Sequence, residues 1–241
     1  MSRPPAEPTR ARRAVRLEIV DDRAAVTRPD EGFLHLRRLV LVSVGADGAR
    51  SAPFPCDMVS RRQADAVAVV VWARAPGGEV QVVLRENLRP PVWLRRAKTF
   101  TQPDRRRFDL LTEIVAGLLE PADAGPRGIS RRAAAEVLEE VGFTVRPSAV
   151  RLLGGPHFPT PGITDEKVFF TQVQVDLAAR GRPTGDGSVQ EEAGRVLVLP
   201  LEEALARCRD GRIPDMKTEI GLERLKQHLL PARRARKRTR R

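Results

Sequence analysis

Three glutamates, Glu136, Glu139 and Glu140, sit close together in the second half of the chain. On a helix they fall on one side, because 139 and 140 lie three and four positions beyond 136. Like charges at this spacing oppose helix formation, and no lysine or arginine lies among them to offset the repulsion. A cation would offset it. Clustered carboxylates are hard oxygen ligands suited to Mg²⁺ or Mn²⁺, which keep their other positions for water and phosphate oxygens. The spacing alone also fits an ordinary solvated acidic face.

The element that must carry these residues has marked ends. Ser130 is expected to cap a helix running through Val141, and Gly142 supplies a left-handed stop. Ala134, Val137, Leu138 and Val141 recur at helical spacing and predict a core-facing stripe, which leaves the three carboxylates on an exposed patch. Strands are predicted at Val15 to Val20, Leu36 to Val44, Asp65 to Ala73, Val80 to Arg85, Val150 to Leu153, Val168 to Val175 and Val196 to Leu199. Gly45, Asp47 and Gly48 mark one turn, and Gly77 and Gly78 join a central hairpin. Helices are predicted from Leu201 to Cys208 and from about Asp215 to Leu229. Between Arg89 and Phe108, three prolines and six basic side chains predict a mobile, positive loop able to meet phosphate. The pattern is mixed α/β.

The 241 residues carry a formal charge of +12, which first suggests a nucleic-acid partner. Most of that charge sits at the ends. Residues 233–241 hold seven basic groups and residues 1–16 five arginines against Glu7. Residues 17–232 are left at about +1. The expected organisation is a basic, disordered start (1–16), a β-rich section (17–61), the main domain (62–230) and a basic, disordered tail (231–241). The tail is a candidate for weak polyanion binding through counterion release, against the plainer reading of a solvated end. Cys56 and Cys208 cannot supply a disulfide framework, so a cytoplasmic location is the default expectation. The longest apolar run, Ala66 to Ala73, has eight residues, too few to span a bilayer.

The context of the glutamates carries more. Gly117, Asp123, Ala135, Glu136, Val137, Leu138, Glu139, Glu140, Val141, Gly142 and Phe143 together resemble the Nudix hydrolase motif. That motif runs Gly, five residues, Glu, seven residues, then Arg-Glu-apolar-x-Glu-Glu-x-Gly-apolar. Asp123 stands where the family has glutamate, Ala135 where it has arginine, and the intervening loop is four residues longer. Arg131 or Arg132, one turn earlier, is a candidate substitute for the missing arginine. Arg85 to Val92, Glu113 to Gly117, Thr160 to Gly162 with Glu166, and Asp215 to Thr218 further resemble segments of the ADP-ribose pyrophosphatase subfamily. The likeness spans roughly residues 62 to 230.

The resemblance implies an α/β/α sandwich around a mixed β-sheet, with the β-rich front section helping to form a homodimer. It implies Mg²⁺ (or Mn²⁺) held by Glu136 and Glu140, with Glu139 assisting and the Ala116 carbonyl as a further ligand. Glu191 or Glu192 would position or deprotonate the attacking water. Arg89, Glu113 and Glu166 are the implied substrate-binding residues, with a surface ion pair as the alternative for Arg89, and His157 is read as structural. The implied activity is hydrolysis of the diphosphate bond of ADP-ribose or a related nucleoside diphosphate sugar, giving a nucleoside monophosphate and a sugar phosphate. The alternative is a weakly active or inactive nucleotide-binding regulator, favoured by Ala135 and the lengthened loop, attached to nucleic acid through its basic ends.

Overall fold

The fold is taken from a computed structural model that describes residues 19–21, 28–185 and 194–230. Expectations for residues 1–16, for the first part of the strand at Val15, for Glu191 and Glu192, and for the basic tail lie outside the described residues. The chain runs β1 (His35–Leu41), β2 (Phe54–Ser60), β3 (Ala66–Arg74), β4 (Val80–Asn87), a single turn α1 (Pro90–Trp93), β5 (Leu111–Glu113) and β6 (Val115–Leu118). It continues with α2 (Gly128–Val141), β7 (Arg151–Leu152), β8 (Val168–Gln174), β9 (Val196–Pro200), α3 (Leu201–Arg209) and α4 (Met216–Leu229).

The unbroken apolar run of β3 follows from its place in the middle of the larger sheet, where both faces are covered. Ala68, Val70 and Trp72 pack toward Leu201, Leu205, Leu222 and Leu225 of α3 and α4. Val67, Val69 and Val71 pack on the other side against Ala133, Val137, Val141 and Phe143 from α2 and its C-terminal turn. Helices thus cover both faces of a seven-stranded mixed sheet, with β8 parallel to β3 and the other pairings antiparallel.

β3 and β4 pair near their hairpin, through Val71–Arg74 and Val80–Val83, and then part. The segment from Leu111 to Leu118 fills the gap, with β5 against Arg85, Glu86 and Asn87 of β4 and β6 against Ala66–Val69 of β3. Neither β5 nor β6 is predicted from the sequence, because each is too short for an alternating pattern to emerge. β2 is likewise unanticipated. It pairs antiparallel with β1 as a separate two-stranded sheet, joined to the main body where Val59 N–H donates to the Ile163 carbonyl at 2.8 Å.

Several expectations are corrected. α2 begins at Gly128, so Ser130 lies inside its first turn and does not cap it. Gly142 does end the helix, in the left-handed conformation at φ 80°. The buried stripe includes Ala133, and Leu138 is only half-buried. Glu136 and Glu140 are themselves buried, at 8% and 4% exposure, so the three carboxylates do not share an exposed patch. The segment after Arg89 is not an unstructured loop: it contains α1 and a 3₁₀ turn, Leu94–Ala97. It is also tied by Arg95–Asp104 at 3.0 Å and Arg96–Asp109 at 2.9 Å. Ile19 and Val20 are not in a strand. Cys56 and Cys208 are both free thiols, and burial pushes the Cys208 thiol up to about 11. Among the described residues no helix is long and apolar enough to cross a membrane.

Candidate functional site

Glu136 and Glu140 lie one turn apart on α2 and reach the backbone of β6. The Ala116 N–H donates to Glu140 Oε1 at 3.2 Å. At Gly117 the Glu136 carboxylate fills the place of a side chain: a Cβ there would lie 1.7 Å from Glu136 Oε1. In an antiparallel pair a residue turns its N–H and its C=O to the same side. Ala116 is opposite Ala68 of β3 but gives its N–H to Glu140, so its carbonyl also faces away from β3, toward α2. Two carboxylates and one backbone oxygen therefore border one edge of β6.

This donor set consists of hard oxygens and suits a small divalent cation, which binds few carboxylates and retains water. Among the described residues no three acidic, histidine or cysteine side chains are gathered so as to hold a metal ion. Glu139 is half-buried, and its backbone carbonyl accepts from Gly185 N–H at 2.9 Å.

Near Ala135 the arginine that meets the acids is Arg132. Arg132 donates from Nε to Asp123 Oδ2 at 2.9 Å, pairs with Glu120 Oε2 at 2.9 Å and lies 3.6 Å from Glu136 Oε1. Asp123 also accepts from Glu120 N–H at 3.0 Å, closing a capping box on the 3₁₀ turn Pro121–Asp123. Burial would raise the Asp123 carboxyl, but the Glu120 amide and Arg132 together hold it below the usual carboxylate range. The extra motif residues are absorbed between that turn and Gly128, so Asp123 comes back beside the helix despite the longer spacing. Arg131 instead donates to the Ala122 carbonyl at 3.0 Å.

A second polar group lies inside the fold between β4, β5 and α4. Glu113 accepts from Arg89 Nε at 2.6 Å and from Lys217 Nζ, while Asn87 Nδ2 approaches it at 3.4 Å. Lys217 also reaches Asp215 at 3.0 Å, and Asp215 caps α4 by accepting from Thr218 N–H at 2.9 Å. Thr218 Oγ1 in turn accepts from Ile114 N–H at 2.9 Å, which fixes α4 to the β5–β6 junction. Burial opposes charge on Glu113, yet Lys217 and Arg89 outweigh it and hold the carboxyl below its ordinary range. Burial likewise opposes charge on Lys217, and Asp215 and Glu113 outweigh it and raise the ammonium. Burial opposes charge on the Arg89 guanidinium, and Glu113 and, more weakly, Glu140 outweigh it and stabilise the cation. Arg85 links the two groups, donating to the Glu140 carbonyl and, at 3.1 Å, to Asn87 Oδ1.

The structure thus brings Ala116, Glu136 and Glu140 together, with Arg89 and Glu113 beside them. Glu166 is engaged elsewhere, in a 2.8 Å pair with Arg61 just beyond β2. His157 stacks edge-on against Phe170 and contacts Arg224, as a structural residue would. Glu191 and Glu192 lie outside the described residues. The described ends of their segment are at Gly185, bonded to Glu139, and at Gly194, next to Arg195, whose carbonyl accepts from Glu86 N–H at 2.9 Å. Sequence reasoning assigned no role to Glu120 or Lys217 and did not choose Arg132 over Arg131. Lys217 did lie in the Asp215–Thr218 segment that carries part of the resemblance.

No family model matches the chain. A GDP-mannose pyrophosphatase of Pectobacterium atrosepticum is 30% identical over 159 residues, covering 66% of this chain and 71% of that protein. GDP-mannose pyrophosphatases of Yersinia pestis and Cronobacter sakazakii are each 30% identical, over 151 and 155 residues, covering 63% and 64% of this chain and 67% and 75% of those proteins. With the motif residues on α2 set against Ala116 and Gly117, and with relatives of this extent, the chain belongs to the Nudix hydrolase family.

Proposed function

We propose that the protein hydrolyses the diphosphate bond of a nucleoside diphosphate sugar, with Mg²⁺ or Mn²⁺ as cofactor, releasing a nucleoside monophosphate and a sugar phosphate. The observation that carries this reading is the placement of Glu136 and Glu140, both buried, against the backbone of Ala116 and Gly117. Carboxylates one helical turn apart repel each other. A bound cation would lower that repulsion and would stabilise negative charge on the phosphate oxygens.

The protein's own groups have separate tasks. Glu136 and Glu140 hold the cation, with Glu139 and the Ala116 carbonyl assisting. Arg132 fixes the direction of Glu136 and anchors Asp123. Arg89, pinned at Nε by Glu113, offers the rest of its guanidinium fork to phosphate oxygens. Glu191 or Glu192 orients the attacking water and accepts its proton. Glu166 serves the substrate through the Arg61 junction. The exposed Phe33, Val40 and Phe54 around the β1–β2 sheet support a homodimer. The relatives' names favour GDP-mannose over ADP-ribose as substrate. The Arg132 clamp argues against the reading as an inactive regulator, since it makes good the arginine lost at position 135.

The test is nucleoside monophosphate release from GDP-mannose and from ADP-ribose with Mg²⁺. The reading predicts turnover of at least one, lost in the double variant Glu136→Gln, Glu140→Gln. Equal rates in the wild type and the double variant would end it.

A further inference from the structure

We propose that the segment between β4 and β5 forms a second anion site, a pocket for a phosphomonoester dianion, separate from the α2 carboxylates. The pocket encloses about 290 Å³ and shares no lining residue with the site around Glu136 and Glu140. Five basic side chains line it, Arg95, Arg96, Lys98, Arg106 and Arg107, against a single acid, Asp104.

Two of these cations build the frame. Arg95 makes a two-pronged pair with Asp104, both contacts at 3.0 Å, and stacks 4.0 Å over Phe100. Arg96 bonds Asp109 at 2.9 Å and the Phe108 carbonyl at 3.3 Å, and stacks 4.0 Å over Trp93. These contacts close the segment on itself. The remaining cations are not so employed: the Lys98 and Arg107 side chains make no hydrogen bond or ion pair among the described residues, and Arg106 has there only an electrostatic influence on Asp210.

Crowded like charges repel, and a doubly charged anion between them removes the repulsion while accepting hydrogen bonds from guanidinium and ammonium donors. The Trp93 indole lies in the pocket wall beneath the Arg96 guanidinium, so its emission reports on an anion bound there. Trp93, Phe100 and Phe108 give the pocket an apolar side, which suits a ligand with a ring next to its phosphate. Both a sugar phosphate and a nucleoside monophosphate have that chemistry.

The experiment follows Trp93 emission in the full chain, in EDTA, during titration with inorganic phosphate, ribose 5-phosphate and AMP. A saturable change is expected, absent in Trp93→Phe, with the order of the three ligands identifying the source of the phosphate. Lys98→Ala with Arg107→Ala is expected to weaken binding about tenfold or more at unchanged melting temperature, while Glu136→Gln with Glu140→Gln leaves it intact. No saturable change, the same change with sodium chloride at matched ionic strength, or loss of binding in the glutamate variant would each overturn the proposal.

Discussion

Arg132 stands one helical turn before Glu136 and bridges it to Asp123, with its guanidinium 3.6 Å from the first carboxylate and 2.9 Å from the second. Ala135 carries no charge, and the arginine that meets these acids stands in the preceding turn, with Asp123 on a longer loop. Arg132→Ala removes a cation from the half-buried Asp123 and the buried Glu136. The expected cost is about 1–3 kcal/mol in stability, read by denaturant unfolding, together with a weaker Mg²⁺-induced rise in melting temperature.

Gly117→Ala places a methyl group where the Glu136 carboxylate now lies. Overpacking of this kind costs about 1–3 kcal/mol, and the displaced carboxylate no longer borders Ala116. Mg²⁺-dependent thermal stabilisation is expected to disappear in this variant while far-ultraviolet circular dichroism stays native. An undiminished Mg²⁺ response would show that Glu136 does not depend on the Gly117 cradle.

The buried Glu113–Lys217 pair makes stability depend on pH at both ends. Glu113 has a lowered folded pKa, so its contribution is present above the unfolded carboxyl value of about 4.3 and is lost as pH falls through the folded value. Lys217 has a raised folded pKa, so its contribution is present below about 10.4 and is lost as pH rises through the folded value. Lys217→Met removes the main charge holding Glu113 ionised. Urea unfolding across acidic pH is expected to show the loss of stability beginning at higher pH than in the wild type.

Glu191→Gln and Glu192→Gln separate the two candidates for positioning water. One is expected to lower kcat by about 10²–10⁴-fold with little change in KM, and the other to leave both nearly unchanged. Two near-normal variants would place the base elsewhere on the chain.

Much of the fold was legible because it rests on local patterns. The apolar run of β3, the Gly142 stop, the turns at Gly48 and Gly78, and the ends of α3 and α4 each follow from a few neighbouring residues. β2, β5 and β6 were not legible. Their residues adopt extended structure because a partner strand lies alongside, as where Leu111–Leu118 fills the opening between β3 and β4.

The candidate site divides the same way. By itself the sequence determined that Glu136, Glu139 and Glu140 share one helix at the spacing of the motif, and so which residues are the candidates. Tertiary structure decided what surrounds them: that Glu136 and Glu140 are buried against β6, that Arg132 and not Arg131 is the clamp, and that Arg89 is tied to Glu113 and Glu113 to Lys217. Helical periodicity describes one element in isolation and assigns carboxylates to solvent by their polarity. Their actual depth depends on a strand distant in sequence, whose glycine leaves room for one carboxylate and whose amide binds the other.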